Sequence, residues 1–220
     1  MNQNSKMNGM KSRIEKESRF WNSFSAKYDR FINSTLGTTY HKLYQLLKAD
    51  VTGTGKILEV ATGTGLLAFE ICNNVKSINA IDIAPEMIKI ACDKQKQKNI
   101  SNIVFEEGDS CNLVFEDETF DVIIASNVLH LLFEPEKSLA EIRRVLKPDG
   151  IAILPTFCHA DNIQSRIISA FMSLFGFRAR NKWNTKSFVL FLENNRFAII
   201  KSQIIPGKIP LMYCVAKKNK

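Results

Sequence analysis

A glycine-rich stretch at residues 57–68 has the residue types and spacing of a ligand-binding loop. A short apolar run leads into Gly63 and Gly65, and a helical pattern starts directly after them. Glycines let a ligand approach the backbone closely, and the first N–H groups of a helix favour anionic ligand groups. The spacing Gly63-x-Gly65-x-x-Ala68, with Asp82 at the end of the next predicted strand, fits the binding of a dinucleotide.

An acidic side chain, Glu59, comes at the end of the apolar run that precedes this loop. It would repel the pyrophosphate of a dinucleotide, but it would attract an ammonium group. We therefore expect a ligand that joins an adenosine to a cationic, amino-acid-like end. An NAD-dependent oxidoreductase is the remote alternative, because Gly63, Gly65 and Asp82 also fit its pattern.

The elements that must position these residues alternate between strands and helices from Lys56 onward. Such alternation predicts a mostly parallel sheet with helices on both faces. The apolar runs predict strands at residues 56–60, 78–83, 103–106, 120–126 and 151–154. The amphipathic stretches predict helices at residues 66–74, 85–98 and 135–147. Residues 197–205 and 211–216 predict a closing antiparallel pair.

The two ends of the chain look different from this middle part. Residues 1–50 have a helical pattern, in which Phe20, Trp21, Phe24 and Tyr28 fall on one side and predict either packing or a lid. Residues 163–177 predict a very apolar helix, followed by Arg178, Arg180 and Lys182. This segment fits a pocket wall, a membrane contact or a core helix. We expect a helical cap at residues 1–45, a ligand-binding core at 46–155, and a helical insertion with a closing hairpin at 156–220.

Charge is distributed unevenly along the chain, whose formal net charge is +8. Residues 1–56 carry 10 basic and 4 acidic side chains, residues 57–150 carry 9 and 16, and residues 151–220 carry 11 and 2. Basic flanks around an acidic middle indicate an anionic partner or surface at the flanks. Nucleic acid is disfavoured, because the basic residues are dispersed and no nucleic-acid-binding module is recognisable.

Cysteine usage and hydropathy exclude several other classes. The five cysteines are odd in number and have no CxxC spacing, which argues against a disulfide framework and against a zinc site. No apolar run approaches the roughly 20 residues of a membrane span, and residues 1–19 are too polar for a signal peptide. These features predict a cytoplasmic protein without a metal and with at most peripheral membrane contact.

Several motifs in this order resemble the class I S-adenosylmethionine-dependent methyltransferases, over about residues 20–154. The stretch Glu59-x-Ala61-x-Gly63-x-Gly65 is similar to the first motif of that family, with Ala61 in place of its usual first glycine. Residues 120–130 resemble the fourth-strand motif of the enzymes that act on small molecules, quinones or lipids. Residues 26–29, Ala-Lys-Tyr-Asp, resemble an N-terminal motif of the family.

This resemblance implies a binding site for the methyl donor. Asp82 would bind the ribose, Asp109 would accept from the adenine amino group, and Tyr28 would close over the donor. The implied donor-binding residues are Tyr28, Glu59, Ala61, Thr62, Gly63, Gly65, Asp82, Ile83, Met87, Asp109, Ser110 and Asn127. His130 follows the fourth strand and is expected to face the cleft, where a neutral histidine suits a general base.

The resemblance also implies the fold and the reaction. The expected fold is α/β, a Rossmann-like doubly wound sheet of seven strands, mostly parallel, with one antiparallel strand near the C-terminus. The expected reaction is in-line transfer of a methyl group from S-adenosylmethionine to a small or amphipathic acceptor, which leaves S-adenosylhomocysteine. Lipid-like and anionic acceptors are open alternatives. A non-catalytic S-adenosylmethionine-binding module or partner subunit is the rival interpretation, since a fold does not determine a function.

Overall fold

The computed structural model describes residues 3–174 and 179–219, so Arg178 and the predicted helical residues 175–177 lie outside the described residues. The strands are β1 (Lys56–Val60), β2 (Ser77–Asp82), β3 (Ile103–Glu107), β4 (Phe120–Ala125), β5 (Leu146–Ile153), β6 (Thr156–Phe157), β7 (Phe197–Ile205) and β8 (Leu211–Lys218). The helices are α1 (Gln3–Val51), α2 (Leu66–Ile71), α3 (Pro85–Lys98), α4 (Pro135–Val145), α5 (Ile163–Leu174) and α6 (Thr185–Asn194). Short 3-10 turns follow α2 at Cys72–Asn74 and β4 at Leu129–Leu131.

The sheet has the order β3-β2-β1-β4-β5-β8, with β7 on the other side of β8. Strands β1 to β5 pair in parallel, and β8 pairs antiparallel with β5, β6 and β7. β5 and β6 both pair with the same side of β8, one after the other, so β6 extends β5. The eight strands therefore form a sheet that is seven strands wide. The predicted α/β fold with one antiparallel strand near the C-terminus is confirmed.

Alternating side chains of the strands pack into two cores, one on each face of the sheet. Ile57 and Leu58, neighbours in β1, belong to different cores because successive strand residues point to opposite faces. The first core includes residues of α1, α2 and α3, and the second includes residues of α4 and α6. Both faces of the sheet are therefore covered by helices, and only the strand ends are left to form a site.

The end of α4 and the start of β5 differ from the prediction. The helix ends at Val145 rather than at residue 147, and the strand begins at Leu146 rather than at residue 151. The proline at 148 disfavours helical conformation in the residue before it, and Leu146 already has extended backbone angles. The register between β4 and β5 shifts between Phe120 and Val122, which accommodates the additional strand residues.

Helix α1 is continuous over 49 residues and crosses residue 45, where the predicted cap would end. Its last turns are anchored on the sheet, because Leu43, Leu47 and Val51 are fully buried at intervals of four residues. Asp50 accepts a hydrogen bond of 2.7 Å from the Tyr213 hydroxyl and forms an ion pair of 2.8 Å with Lys201. These contacts fix the direction in which the rest of α1 passes over the strand ends.

Within the described ranges, none of the helices combines the length and the hydropathy that crossing a membrane requires.

Candidate functional site

The carboxyl ends of the parallel strands open into a cleft that α1 covers from one side, and we refer to it as the strand-end cleft. Its lining residues are Glu17, Phe20, Trp21, Tyr28, Ala61, Gly63, Asp82, Ile83, Met87, Gly108, Asp109, Ser110, Ser126, Asn127, Val128, Leu131, Leu132 and Arg180. The loops after β1, β2, β3 and β4 each contribute to this lining. Open parallel sheets bind ligands at this edge.

The loop after β1 has a left-handed backbone at three positions: Ala61 (φ 54°), Gly63 (φ 58°) and Gly65 (φ 81°). At Gly65 an added Cβ would lie 2.8 Å from the Phe105 ring and 2.9 Å from the Phe69 ring, so only glycine fits there. Ala61 replaces the glycine that its backbone angle favours, at a cost of about 1 kcal/mol. The loop therefore carries backbone strain at Ala61.

Asp82, at the end of β2, holds the glycine loop against the neighbouring strand. Its Oδ2 accepts from the Gly63 N–H at 2.8 Å, and its Oδ1 accepts from the Ala84 N–H at 2.9 Å. Burial raises the pKa of this carboxyl to about 6, which leaves it ionised at neutral pH. Each oxygen retains a second lone pair, so the fixed carboxylate can accept further hydrogen bonds from ligand hydroxyl groups.

Glu59 lies below the glycine loop rather than in the lining of the cleft. The side chain is 2% exposed, and its Oε2 has no hydrogen-bond partner among the described residues. Burial raises the pKa of this carboxyl to about 8. A buried carboxyl with an unused oxygen next to the site fits a ligand ammonium, because a nearby positive charge would restore its ionised form.

The remaining predicted residues fall into two groups. Ile83, Met87, Asp109 and Ser110 follow β2 and β3 and line the cleft, where Asp109 Oδ1 accepts from the Cys111 N–H at 2.9 Å. Thr62 and Gly65, in contrast, are buried in the loop and shape it without lining the cleft.

The N-terminal helix is tied to the glycine loop by polar contacts. Asp29 accepts a hydrogen bond from the Thr64 hydroxyl and forms an ion pair with Lys94, and Lys94 also donates to the Thr64 carbonyl at 3.0 Å. The residue directly before Asp29 is Tyr28, whose ring would lie 3.6 Å from a Cβ added at Gly63. Helix α1 is thus a fixed wall that places Tyr28 directly over the loop.

A second cavity lies behind this wall, and we refer to it as the apolar chamber. Its lining residues are Trp21, Phe24, Tyr28, Phe31, Ile32, Thr35, Leu36, Tyr40, Asn127, His130, Phe157, His159, Ile168, Lys208 and Ile209. Trp21, Tyr28 and Asn127 line both cavities. The two spaces are therefore adjacent and share these three side chains as a common wall.

Asn127 is the polar member of the common wall and has an unusual backbone. Its φ is 55°, and its N–H donates to the Pro155 carbonyl at 2.8 Å. The side-chain Nδ2 donates to the Tyr40 hydroxyl at 3.4 Å, whereas the buried Oδ1 has no hydrogen-bond partner among the described residues. A strained backbone and an unused acceptor between two cavities are features of a residue that contacts ligands.

His130 is not where the sequence predicts it, because it lines the apolar chamber and not the strand-end cleft. It belongs to the 3-10 turn Leu129–Leu131, in which successive side chains point about 120° apart. Leu131 consequently faces the cleft, and His130 faces the other side.

Sequence reasoning missed several lining residues, notably His159, Lys208 and Ser126. Ser126 could have been found, since it precedes Asn127 at the same strand end. His159 and Lys208 lie in irregular segments with no motif, and only the fold brings them to the chamber. Among the described residues, no three His, Cys, Asp or Glu side chains come close enough to hold a metal ion.

A sequence profile described as a methyltransferase domain matches residues 52–196, which include every strand-end loop of the cleft. The chain belongs to the class I S-adenosylmethionine-dependent methyltransferases. This methyltransferase is 32% identical over 142 residues to the ubiquinone/menaquinone biosynthesis C-methyltransferase UbiE of Idiomarina loihiensis, covering 61% of this chain and 56% of that protein. The UbiE of Pseudomonas fluorescens is 30% identical over 176 residues, covering 74% of this chain and 68% of that protein.

Solved structures show the same fold. The PH0226 protein of Pyrococcus horikoshii is 25% identical and superposes with a TM-score of 0.71, covering 87% of this methyltransferase and 98% of that chain. Because the chain spans just over half the length of the first UbiE relative, the activity of that whole protein is not transferred to it directly.

Proposed function

We propose that this methyltransferase transfers a methyl group from S-adenosylmethionine to a small, lipid-like acceptor. The observation that carries the proposal is the common wall: the strand-end cleft, which has the family's donor motif, and the apolar chamber meet at Trp21, Tyr28 and Asn127. A donor in the cleft and an acceptor in the chamber would have their reacting atoms at this junction.

The residues of the cleft fit the donor part by part. Asp82 offers two fixed oxygens to ribose hydroxyl groups, Glu59 offers a buried carboxyl to the amino-acid ammonium, and Asp109 lies with Ile83 and Met87 on the side of the adenine. The bound donor supplies a methyl group on a sulfonium, which is already an activated leaving group. The protein therefore has to position the two substrates and exclude water, and the aromatic side chains of α1 cover the cleft for that purpose.

The chamber favours an acceptor with an apolar body. Most of its lining side chains are aromatic or aliphatic, and its polar groups are the hydroxyls of Tyr28, Thr35 and Tyr40, the Asn127 amide, the Lys208 ammonium and two imidazoles. Apolar pockets with a few polar groups bind small molecules by burying their carbon skeleton and orienting their polar atoms. The names of the UbiE relatives, which refer to quinone biosynthesis, support an acceptor of this kind.

Helix α5 supports delivery of the acceptor from an anionic lipid surface. It contributes Ile168 to the chamber, while Ile163 and Ile167 are 76% and 64% exposed. Arg166 between them is also exposed, and residues 151–220 carry 11 basic but only 2 acidic side chains. Exposed isoleucines beside basic charge fit the interface of an anionic membrane.

The lipid contact is tested by sedimentation with vesicles of phosphatidylglycerol and of phosphatidylcholine. We expect binding to the anionic vesicles that Ile163→Ser combined with Ile167→Ser weakens several-fold. Leu190→Ser is the matched control, because Leu190 is 56% exposed on α6, away from the chamber. If the double variant bound anionic vesicles as tightly as the wild type does, α5 would not be part of the lipid contact.

The donor part is tested by calorimetric titration with S-adenosylhomocysteine and, separately, with NAD. We expect micromolar binding of the first and none of the second. Binding of NAD alone would overturn the proposed donor. Turnover with a panel of lipid-like acceptors then separates an enzyme from a non-catalytic binding module, because only the enzyme converts S-adenosylmethionine to S-adenosylhomocysteine.

A further inference from the structure

Two buried histidines lie close together in the lining of the apolar chamber. His130 comes from the 3-10 turn after β4, and His159 comes from the segment after β6. They are 0% and 1% exposed, and their ring centroids lie 5.0 Å apart at an interplanar angle of 40°. Two distant parts of the chain thus bring imidazoles together at a cavity that the donor motif does not include.

The position of His130 is fixed by the segment that follows α5. Its backbone carbonyl accepts from the N–H groups of Arg180 and Asn181, at 2.9 and 3.0 Å. The Asn181 side chain in turn donates to the Leu132 carbonyl at 3.0 Å. These hydrogen bonds fix the turn and keep the imidazole directed into the chamber, which is the preorganisation that a functional side chain needs.

The surroundings keep both imidazoles neutral. Burial lowers the pKa of His130 well below its usual value, with a contribution from His159, and burial lowers the pKa of His159 to about 4, with a contribution from Lys182. The charged or titratable groups lining the chamber with them are Tyr28, Tyr40 and Lys208, and no carboxylate lines it among the described residues. A neutral imidazole has one nitrogen that accepts a hydrogen bond.

We propose that His130 and His159 together accept the hydrogen of a hydroxyl group on the acceptor, so that the chamber selects apolar molecules with an acidic O–H. This inference rests on the proposed function, in which the acceptor occupies the chamber. His159 thereby becomes a second functional histidine that no motif indicates. Lys208 lines the same chamber and stabilises negative charge that develops on the acceptor.

The proton and electron balance of this step is simple. The hydroxyl proton moves to an imidazole nitrogen, and the electron pair left on oxygen, or on a ring carbon conjugated with it, forms the bond to the methyl carbon. The carbon–sulfur bond breaks with its electron pair remaining on sulfur, which leaves the neutral thioether S-adenosylhomocysteine. After methylation at oxygen, the imidazolium returns its proton to water. After methylation at the ring carbon, that carbon loses its hydrogen to water as a proton, and the imidazolium returns its proton to the oxygen, which restores the aromatic ring.

The test measures the affinities of 4-butylphenol and 4-butylanisole for protein saturated with S-adenosylhomocysteine. In the anisole a methyl group replaces the hydroxyl hydrogen, so it cannot donate a hydrogen bond. In the wild type we expect the phenol to bind roughly 3- to 10-fold more tightly, the range of one net hydrogen bond. His130→Phe and His159→Phe keep a ring of similar size, and each is expected to reduce this preference while leaving the affinity for the anisole within about twofold. A structural role would weaken both ligands equally.

A control variant and two contrary outcomes separate this inference from the proposed function. His41→Phe is the matched control, since His41 is the other histidine of the chain and lies exposed on α1. This variant should leave the preference for the phenol unchanged. If a phenylalanine variant fails to fold, His130→Gln and His159→Gln replace it in the test. Glutamine retains a hydrogen-bond acceptor, so these variants should keep part of the preference for the phenol. Equal affinities for phenol and anisole in wild-type protein that binds S-adenosylhomocysteine would overturn this inference alone. Failure to bind S-adenosylhomocysteine would overturn the proposed function.

Discussion

The strand-end cleft and the apolar chamber are neighbours, but different parts of the chain build them. The cleft is made largely of loops that directly follow β1, β2, β3 and β4, and two backbone N–H groups of these loops, at Gly63 and Ala84, donate to Asp82. The chamber is made mostly of side chains from α1, with others from α5, the loop after β4 and the segments around residues 157–159 and 208–209. The cleft therefore depends mainly on the strand-end loops, whereas the chamber depends mainly on α1 and the segments after β5. Donor binding and acceptor choice should then respond separately to mutation.

Gly65→Ala should have the largest effect, and it should act on the cleft. The new methyl group would meet the rings of Phe105 and Phe69 at 2.8 to 2.9 Å, at a backbone φ of 81° that alanine disfavours. We expect a loss of about 3 kcal/mol in the free energy of unfolding, measured by urea denaturation, as overpacking adds to backbone strain.

Gly53→Ala is the matched control for that variant. Gly53 has nearly the same backbone angle, φ 80°, but an added Cβ there has no atom within 4 Å. It should lose only about 1 kcal/mol, the cost of the left-handed backbone alone. If both variants lost the same amount, close packing of the glycine loop would not be what requires glycine at residue 65.

Asp82→Asn should come next, because it removes the charge from the carboxylate that holds the loop and that we propose to bind the ribose. The affinity for S-adenosylhomocysteine should fall by about 30- to 100-fold, in line with the roughly 2 to 3 kcal/mol of hydrogen bonds to a charged group. Calorimetric titration measures this loss. The affinity of the ligand-free variant for 4-butylphenol should stay within about twofold of the wild-type value. Asp121→Asn is the control, since Asp121 lies at the opposite end of the sheet and pairs with Lys147. Unchanged donor affinity in Asp82→Asn would place the ribose elsewhere.

Asp29→Asn should have a smaller effect but reach both cavities. Asp29 links α1 to Thr64 and Lys94, and α1 supplies Trp21 and Tyr28 to the common wall. We expect the affinities for S-adenosylhomocysteine and for 4-butylphenol each to fall by about 3- to 10-fold, since one partly buried ion pair is weakened. Circular dichroism should show the helix content unchanged. A loss confined to the donor would mean that α1 does not couple the two cavities.

The same contrast explains how much of the molecule was predictable. Asp82 and Asp109 were placed correctly at the cleft because Asp82 ends one apolar strand, Asp109 comes just after the next, and parallel strands bring such ends together. The chamber was not predictable, since Ile32 and Ile209 meet there only through the path of α1 across the fold. His130 was assigned to the wrong cavity because one 3-10 turn decides which way its side chain points. Local patterns thus locate the strand-end cleft, and long-range packing determines the apolar chamber.

Glu59→Gln should have the smallest effect, the loss of less than one proton released when the ligand binds. The Glu59 pKa of about 8 lies above the usual value, so the carboxyl is mostly protonated at pH 7 and ionises as the pH rises through 8. A ligand ammonium beside it lowers that pKa, so binding of S-adenosylhomocysteine should release protons at pH 7 and cease to do so from this group near pH 9. Titrations at pH 7 in two buffers with different ionisation enthalpies measure this release. Glu59→Gln should abolish it, while Asp82, whose pKa of about 6 leaves it ionised at pH 7, contributes little. Equal proton release by the variant and the wild type would mean that the ammonium lies away from Glu59, and the donor would then be held in the cleft mainly through its adenosine.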